Sequence, residues 1–153
     1  MILRLFLIIY LLVLSGMDVR SRKLPALLLH GGAAFVLICL LAGGLFWLPS
    51  SELIRRVMTA LLGAIPGLML YVLSFYSDKI GRGDGMVLMI IGLTENWTFS
   101  MSLICTACLG LAVFSGVLMC FRRVNGRTHM PYIPFVTGAY LLIKLYEGSL
   151  NLL

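Results

Sequence analysis

An all-α, polytopic membrane protein of about six transmembrane helices is the fold class this sequence predicts, and three observations predict it. Of the 153 residues, 61% are hydrophobic and 12% charged, with a mean hydropathy of +1.05, well outside the composition of a soluble domain. The apolar residues come in long runs, and hydrocarbon admits only helices or closed barrels, because each backbone N–H and C=O must find a partner there. The alternating pattern of barrel strands is absent. At roughly 20 residues per crossing the length suits a single membrane-embedded domain, residues 1–153, with no room for a large soluble one.

Within the first run, 2–17, the stretch Leu5–Leu14 follows one basic residue, Arg4, and imitates a signal peptide. Asp18 and Arg20 follow without a small-x-small cleavage site, so it reads as a retained helix. The second run, 26–48, begins after Pro25, which suits a helix boundary. The third, 57–76, carries Pro66 and Gly67 midway, where a kink and a close helix contact are expected. The fourth, 85–98, is short and has Glu95 and Asn96 near its far end, so it is expected to tilt, sit low or cross only in part. Runs at 100–121 and 132–151 complete the set. Glycines such as Gly31, Gly32, Gly63, Gly110, Gly116 and Gly138 are expected to let helices approach.

The connections differ in charge. One set holds Arg20, Arg22, Lys23, Lys79, Arg82, Arg122, Arg123 and Arg127, and the opposite set, with the N-terminus, holds Arg4, Arg55 and Arg56. Eight basic residues against three place the first set in the cytoplasm and both chain ends outside. The net charge of +6 is thus a topology signal, and no motif points to nucleic acid. Lys144, inside the last run, is expected to snorkel toward the outer surface or to make a contact near the helix end.

No cofactor or metal is expected. Cys39, Cys105, Cys108 and Cys120 all lie inside apolar runs, and no second pair or nearby histidine turns Cys105 and Cys108 into a zinc site, so they read as small buried side chains. His30 and His129 belong to no hydrolase motif. The GRGDG stretch lacks both the Gly-Lys-Ser/Thr ending of a phosphate loop and the strand-turn-helix setting of a dinucleotide motif.

That leaves the aspartates. Asp18 ends the first helix and Asp84 begins the fourth, so both fall near the cytoplasmic boundary, where a carboxylate is tolerable. The residues alone allow two readings: ion pairs with Arg20, Arg22, Lys79 and Arg82, or a catalytic or transport role. Two carboxylates brought together share a proton, since both cannot comfortably be charged. The charged member then acts as base on water, and the protonated member polarises a carbonyl and later protonates the leaving amine. Gly81 and Gly83 are expected to let the backbone bend or approach closely before Asp84. Asp78 reads as loop structure or a salt bridge.

The GRGD segment resembles the Gly-x-Gly-Asp motif of membrane aspartyl proteases, and the rest of the chain resembles the type IV prepilin peptidases in particular. Three elements carry this in order: DVRSRKLPA, with Asp18 and Pro25; KIGRGDGMVLMIIGL, with Lys79, Gly81, Gly83 and Asp84; and RTHMPYIPFVTGAYL, with Pro131 and Pro134. The resemblance implies a catalytic pair, Asp18 and Asp84, with Gly81, Gly83, Lys79, Pro25, Pro131 and Pro134 supporting the motif or pocket. It implies a leader peptidase of the prokaryotic cytoplasmic membrane. Such an enzyme cuts prepilin or pseudopilin precursors after a glycine, on the cytoplasmic side and among membrane lipids. The chain is similar to the minimal forms without a cysteine-rich cytoplasmic segment at the N-terminus. It departs from the family pattern at Ala26, where asparagine is usual, and at Met86, where lysine is common, with Gly85 between Asp84 and Met86. The alternatives to a peptidase are an inactive homologue that binds pilin-like helices and a small membrane assembly or transport protein.

Overall fold

The computed structural model describes residues 2–21, 25–47, 50–76, 81–121 and 131–150. They form six α-helices: α1 (Ile2–Ser21), α2 (Ala26–Trp47), α3 (Ser50–Tyr76), α4 (Arg82–Thr94), α5 (Trp97–Cys120) and α6 (Ile133–Leu150). No strand occurs among the described residues. By length and composition, α3 over Ser51–Tyr76 and the whole of α5 are long and apolar enough to cross a membrane, and Ala26–Ala42 of α2 is a shorter apolar helix. The fourth helix is short, as expected. Its 13 residues rise about 20 Å, against about 30 Å of hydrocarbon.

Three boundaries differ from the sequence expectation. The first helix continues past residue 17 to Ser21, so Asp18 and Arg20 are helical. The third starts at Ser50 rather than 57, with serines at its head and Glu52 in its first turn, where an acid meets the positive end of the helix dipole. It runs through Pro66 unbroken. The fourth covers 82–94 rather than 85–98; in its last turn the Ile91 carbonyl accepts both the Glu95 N–H at 3.1 Å and the Thr94 hydroxyl at 2.7 Å. Extended backbone at Glu95 then separates α4 from α5.

The helices cluster into two compact units, with α1 and α5 each contributing to both. The first unit holds residues up to Tyr10 and from 24 to Met101. Within it α4 packs mainly along α3 and also touches α2. The buried α3 positions Ala60, Gly63, Ala64, Gly67 and Ser74 recur at helical spacing and form one stripe. A Cβ on Gly63 would meet the Gly92 carbonyl, one on Gly67 the Met89 backbone, and one on Gly85 the Tyr71 backbone. As residue numbers rise along α3 they fall along α4, so the two helices are antiparallel and their backbones touch along a glycine seam. Val87, Leu88, Ile90 and Ile91 fill the buried face of α4. At the start of the chain the Tyr10 ring lies over Gly32, its hydroxyl donates to the Leu28 carbonyl at 3.2 Å, and Phe6 packs on Phe35 with centroids 4.2 Å apart.

The second unit holds residues 11–23 and 102–153. Here the Thr137 hydroxyl of α6 lies 2.9 Å from the Ile133 carbonyl and 3.3 Å from the Leu11 carbonyl of α1, a bifurcated bond that links the two helices. Phe135 meets Phe114 of α5 with centroids 5.4 Å apart. Lys144 pairs with Glu147 at 2.9 Å on the same helix.

Two packing expectations are corrected. Cys105, Cys108 and Cys120 are exposed and Cys39 is half-buried, because the α5 cysteines share its outward face with Leu109, Val113, Val117 and Met119. Gly31, Gly116 and Gly138 lie on exposed faces with nothing within 4 Å of an added Cβ, and Gly110 meets Phe135 only at ordinary contact distance, 3.6 Å. From Leu61 to Tyr76 of α3 and from Leu109 to Cys120 of α5 the exposed residues are apolar, a surface suited to hydrocarbon.

Candidate active site

Asp84 is the third residue of α4, in the turn whose N–H groups have no partner inside the helix. An acid there meets the positive end of the helix dipole. The Asp84 N–H donates to the Gly81 carbonyl over 3.1 Å, and the carboxylate folds back toward Gly81. A Cβ at residue 81 would stand 2.8 Å from Asp84 Oδ2 and 3.3 Å from its Cγ. Gly81 has φ −66° and ψ 126°, a conformation open to any residue. Glycine is therefore needed here for space beside a carboxylate, where the sequence suggested backbone freedom. Gly83 is the second helical residue and half-buried. On the other side of Asp84, Gly85 presses on Tyr71, with backbone N and Cα at 2.5 and 2.7 Å from an added Cβ. The acid thus rides on the glycine seam, and its height along α3 is set by backbone contact.

Arg82 precedes the acid. Its guanidinium sits 5.0 Å from the centroid of the Phe75 ring, a cation–π placement that ties the first turn of α4 to the last turn of α3.

Asp18 stands on α1 four and seven residues beyond Leu14 and Leu11, both buried, so a carboxylate occupies the apolar stripe. It is 8% exposed. Such burial is costly unless hydrogen bonds compensate, and the Ile133 N–H donates to Asp18 Oδ2 over 3.3 Å. Ile133 is the first residue of α6, and the Tyr132 carbonyl receives the Phe135 and Val136 N–H groups at 3.0 and 3.2 Å. Pro131 precedes that turn and Pro134 is its second helical residue, where a missing N–H costs nothing. The third sequence element thus delivers a helix N-terminus to the buried acid.

Pro25 lies just before α2, its carbonyl accepting the Leu28 and Leu29 N–H groups at 3.1 and 3.3 Å. Ala26 is exposed and Met86 half-buried. Lys79 lies outside the described residues, as do Asp78, Arg22, Lys23, Arg122, Arg123, Arg127 and His129. Among the described residues, no three or more His, Cys, Asp or Glu side chains gather in a metal-binding group.

Two contributors escape the sequence reading. The N–H of Ile133 carries no residue signature. Gly85 and Gly92, seven apart on α4, look like motif filler until α3 is laid against them, although Gly63 and Gly67 four apart are a small-x-x-x-small signal.

A sequence model of the type IV leader peptidase family matches residues 5–116 of this chain. That span contains both Asp18 and Asp84 and ends before Pro131. Comparison with curated proteins and with solved structures gives no match.

Proposed function

The chain belongs to the type IV leader peptidase family, and from that membership we propose that it is a membrane aspartyl endopeptidase acting through Asp18 and Asp84. Its substrates are type IV prepilin-like precursors, cut after the glycine that ends a short basic leader, on the cytoplasmic side of a prokaryotic inner membrane. The observation that carries this reading is the family match across both aspartates, each of which lies in its expected motif. Supporting it, each carboxylate has a helix N-terminus beside it, α6 for Asp18 and α4 for Asp84, and such ends favour negative charge.

In this mechanism the pair holds one proton between them. The ionised carboxylate takes a proton from water as its oxygen bonds to the scissile carbonyl carbon, while the protonated carboxyl donates a hydrogen bond to the carbonyl oxygen. When the tetrahedral intermediate collapses, the C–N bond breaks and the nitrogen takes the proton from that second carboxyl. The pair again holds one proton. In the proposed topology all six helices cross, and both termini lie outside.

The test is cleavage of co-expressed prepilin-like substrates in membranes, read by mass spectrometry for wild type, Asp18→Asn and Asp84→Asn. A cut after the leader glycine in wild type, with rates reduced at least about 1,000-fold in either variant, is expected of residues that act as a unit. Tight binding of prepilin without any product would favour the inactive homologue instead, for which Ala26 and Met86 are the relevant departures.

A further inference from the structure

We infer that the backbone N–H of Ile133 is a positioning group for Asp18: the N-terminus of α6 fixes the orientation and charge of one of the two acids. The inference deepens the peptidase reading and rests on it for its catalytic consequence. Asp18 is buried on an otherwise apolar stripe of α1, and Ile133 donates to its Oδ2 over 3.3 Å. Two turns earlier on the same helix, the Leu11 carbonyl shares the Thr137 hydroxyl with α6's own backbone. Together these contacts set α6 against α1 at two heights, and that fixes where the Ile133 N–H points. Ile133 is itself fully buried, so the donor does not swing into solvent. Tyr132 holds the first turn through its carbonyl, and Pro134 suits a helical φ at a place that needs no donor. The run Pro131-Tyr132-Ile133-Pro134-Phe135 thus starts a helix and presents one N–H to an acid more than a hundred residues away in sequence. Arg20, the charged neighbour of Asp18 on α1, is exposed. The family match ends before this run, so the assignment comes from the contact alone.

The donor can be removed without removing the helix. Proline is tolerated at the first helical position, so Ile133→Pro deletes the N–H, and Ile133→Ala deletes the side chain while keeping it. Both variants are compared with wild type for membrane accumulation, for kcat and KM on a prepilin-like substrate, and for labelling of Asp18 by dicyclohexylcarbodiimide, mapped by mass spectrometry. That reagent reacts with protonated carboxyls, and a carboxylate that loses a donor protonates more readily. Expected for Ile133→Pro is a kcat lower by about 10- to 100-fold, the range for one hydrogen bond to a charged group, with KM within about threefold. Asp18 labelling is expected to rise several-fold. Ile133→Ala is expected to keep the labelling and most of kcat.

If Ile133→Pro does not accumulate, replacing residue 133 by the α-hydroxy analogue of isoleucine removes the same N–H and keeps the side chain. Labelling and kcat unchanged by loss of the N–H, or changed equally by Ile133→Ala, overturn the inference while wild-type cleavage keeps the peptidase reading. A wild type that cuts nothing, together with labelling raised only when the N–H is lost, sinks the peptidase reading and upholds the contact.

Discussion

The carboxylate of Asp84 and the hydrogen of Gly81 share one small volume, and this makes Gly81 a test of orientation separate from folding. With its Cβ 2.8 Å from Oδ2, Gly81→Ala meets the free end of a side chain, which can rotate away; the three nearest atoms all belong to the Asp84 carboxyl group. The stability cost is then mainly that of alanine at a helix N-cap, about 1 kcal/mol. The carboxylate, however, has to leave its present place, and a displacement of roughly 1 Å at a reacting group can cost on the order of 100-fold in rate. Gly81→Ala is expected to fold, to lose a few degrees of Tm at most and to cut substrate about 10- to 100-fold more slowly. Thermal unfolding in detergent and single-turnover cleavage measure the two effects on the same preparation. Gly116→Ala is the matched control. Nothing lies within 4 Å of its added Cβ, and alanine in a helix interior gains about 0.5–1 kcal/mol over glycine. Its activity should be unchanged and its Tm slightly raised.

At the scale of elements, α4 is too short to find its place by spanning, and the seam with α3 does that work instead. Gly63 with Gly92, Gly67 with Met89 and Tyr71 with Gly85 bring backbone to backbone. A side chain added there cannot escape by changing rotamer, and overpacking of this kind costs about 1–3 kcal/mol or more. Gly67→Leu is expected to cost at least about 3 kcal/mol, read from the midpoint of unfolding when sodium dodecyl sulfate is titrated into mixed micelles. A midpoint equal to wild type would show that the seam is not formed. The seam also marks the limit of what the sequence discloses. Helix existence was legible because hydrocarbon leaves the backbone few choices, and all six apolar runs became helices. Asp18 and Asp84 stood out as candidates because charged residues are rare beside such runs. Boundaries were less so: α1 carries Asp18 inside the helix because a donor from α6 compensates the carboxylate, and that donor lies 115 residues further along. Gly31 and Gly116 look like Gly63 in the sequence. Only the presence of a neighbouring backbone separates a packing glycine from an idle one.

For the whole molecule, the decisive element is again α4. The basic residues Arg122, Arg123 and Arg127 follow α5, and in the proposed topology, which applies the positive-inside rule, they lie in the cytoplasm together with Arg20 and Arg82. Because α5 is long enough to cross by itself, its beginning at Trp97 must then lie outside. The chain therefore has to change sides between Arg82 and Trp97, which only α4 can do. With 13 residues and about 20 Å of rise, it can do so where local bilayer thinning or burial against α3 shortens the path. The break at Glu95 and Asn96 would mark the outer surface, and Asn96 is exposed. A variant with Cys39, Cys105, Cys108 and Cys120 replaced by alanine, and a single new thiol at Asn96→Cys, tests this with a membrane-impermeant maleimide. Ser51→Cys and Ser21→Cys serve as references for the outer and cytoplasmic faces. Labelling of Asn96→Cys and Ser51→Cys in intact spheroplasts, with Ser21→Cys labelled only in inverted vesicles, is the expected result. It would put the ends of α1 and α4 that bear Asp18 and Asp84 on the side proposed for the prepilin leader. If Asn96→Cys reacts only in inverted vesicles, α4 enters and leaves by the same face. The arginines after α5 would then lie outside against the charge rule, and the six-span reading would fall even with both aspartates on the side that the proposed mechanism requires.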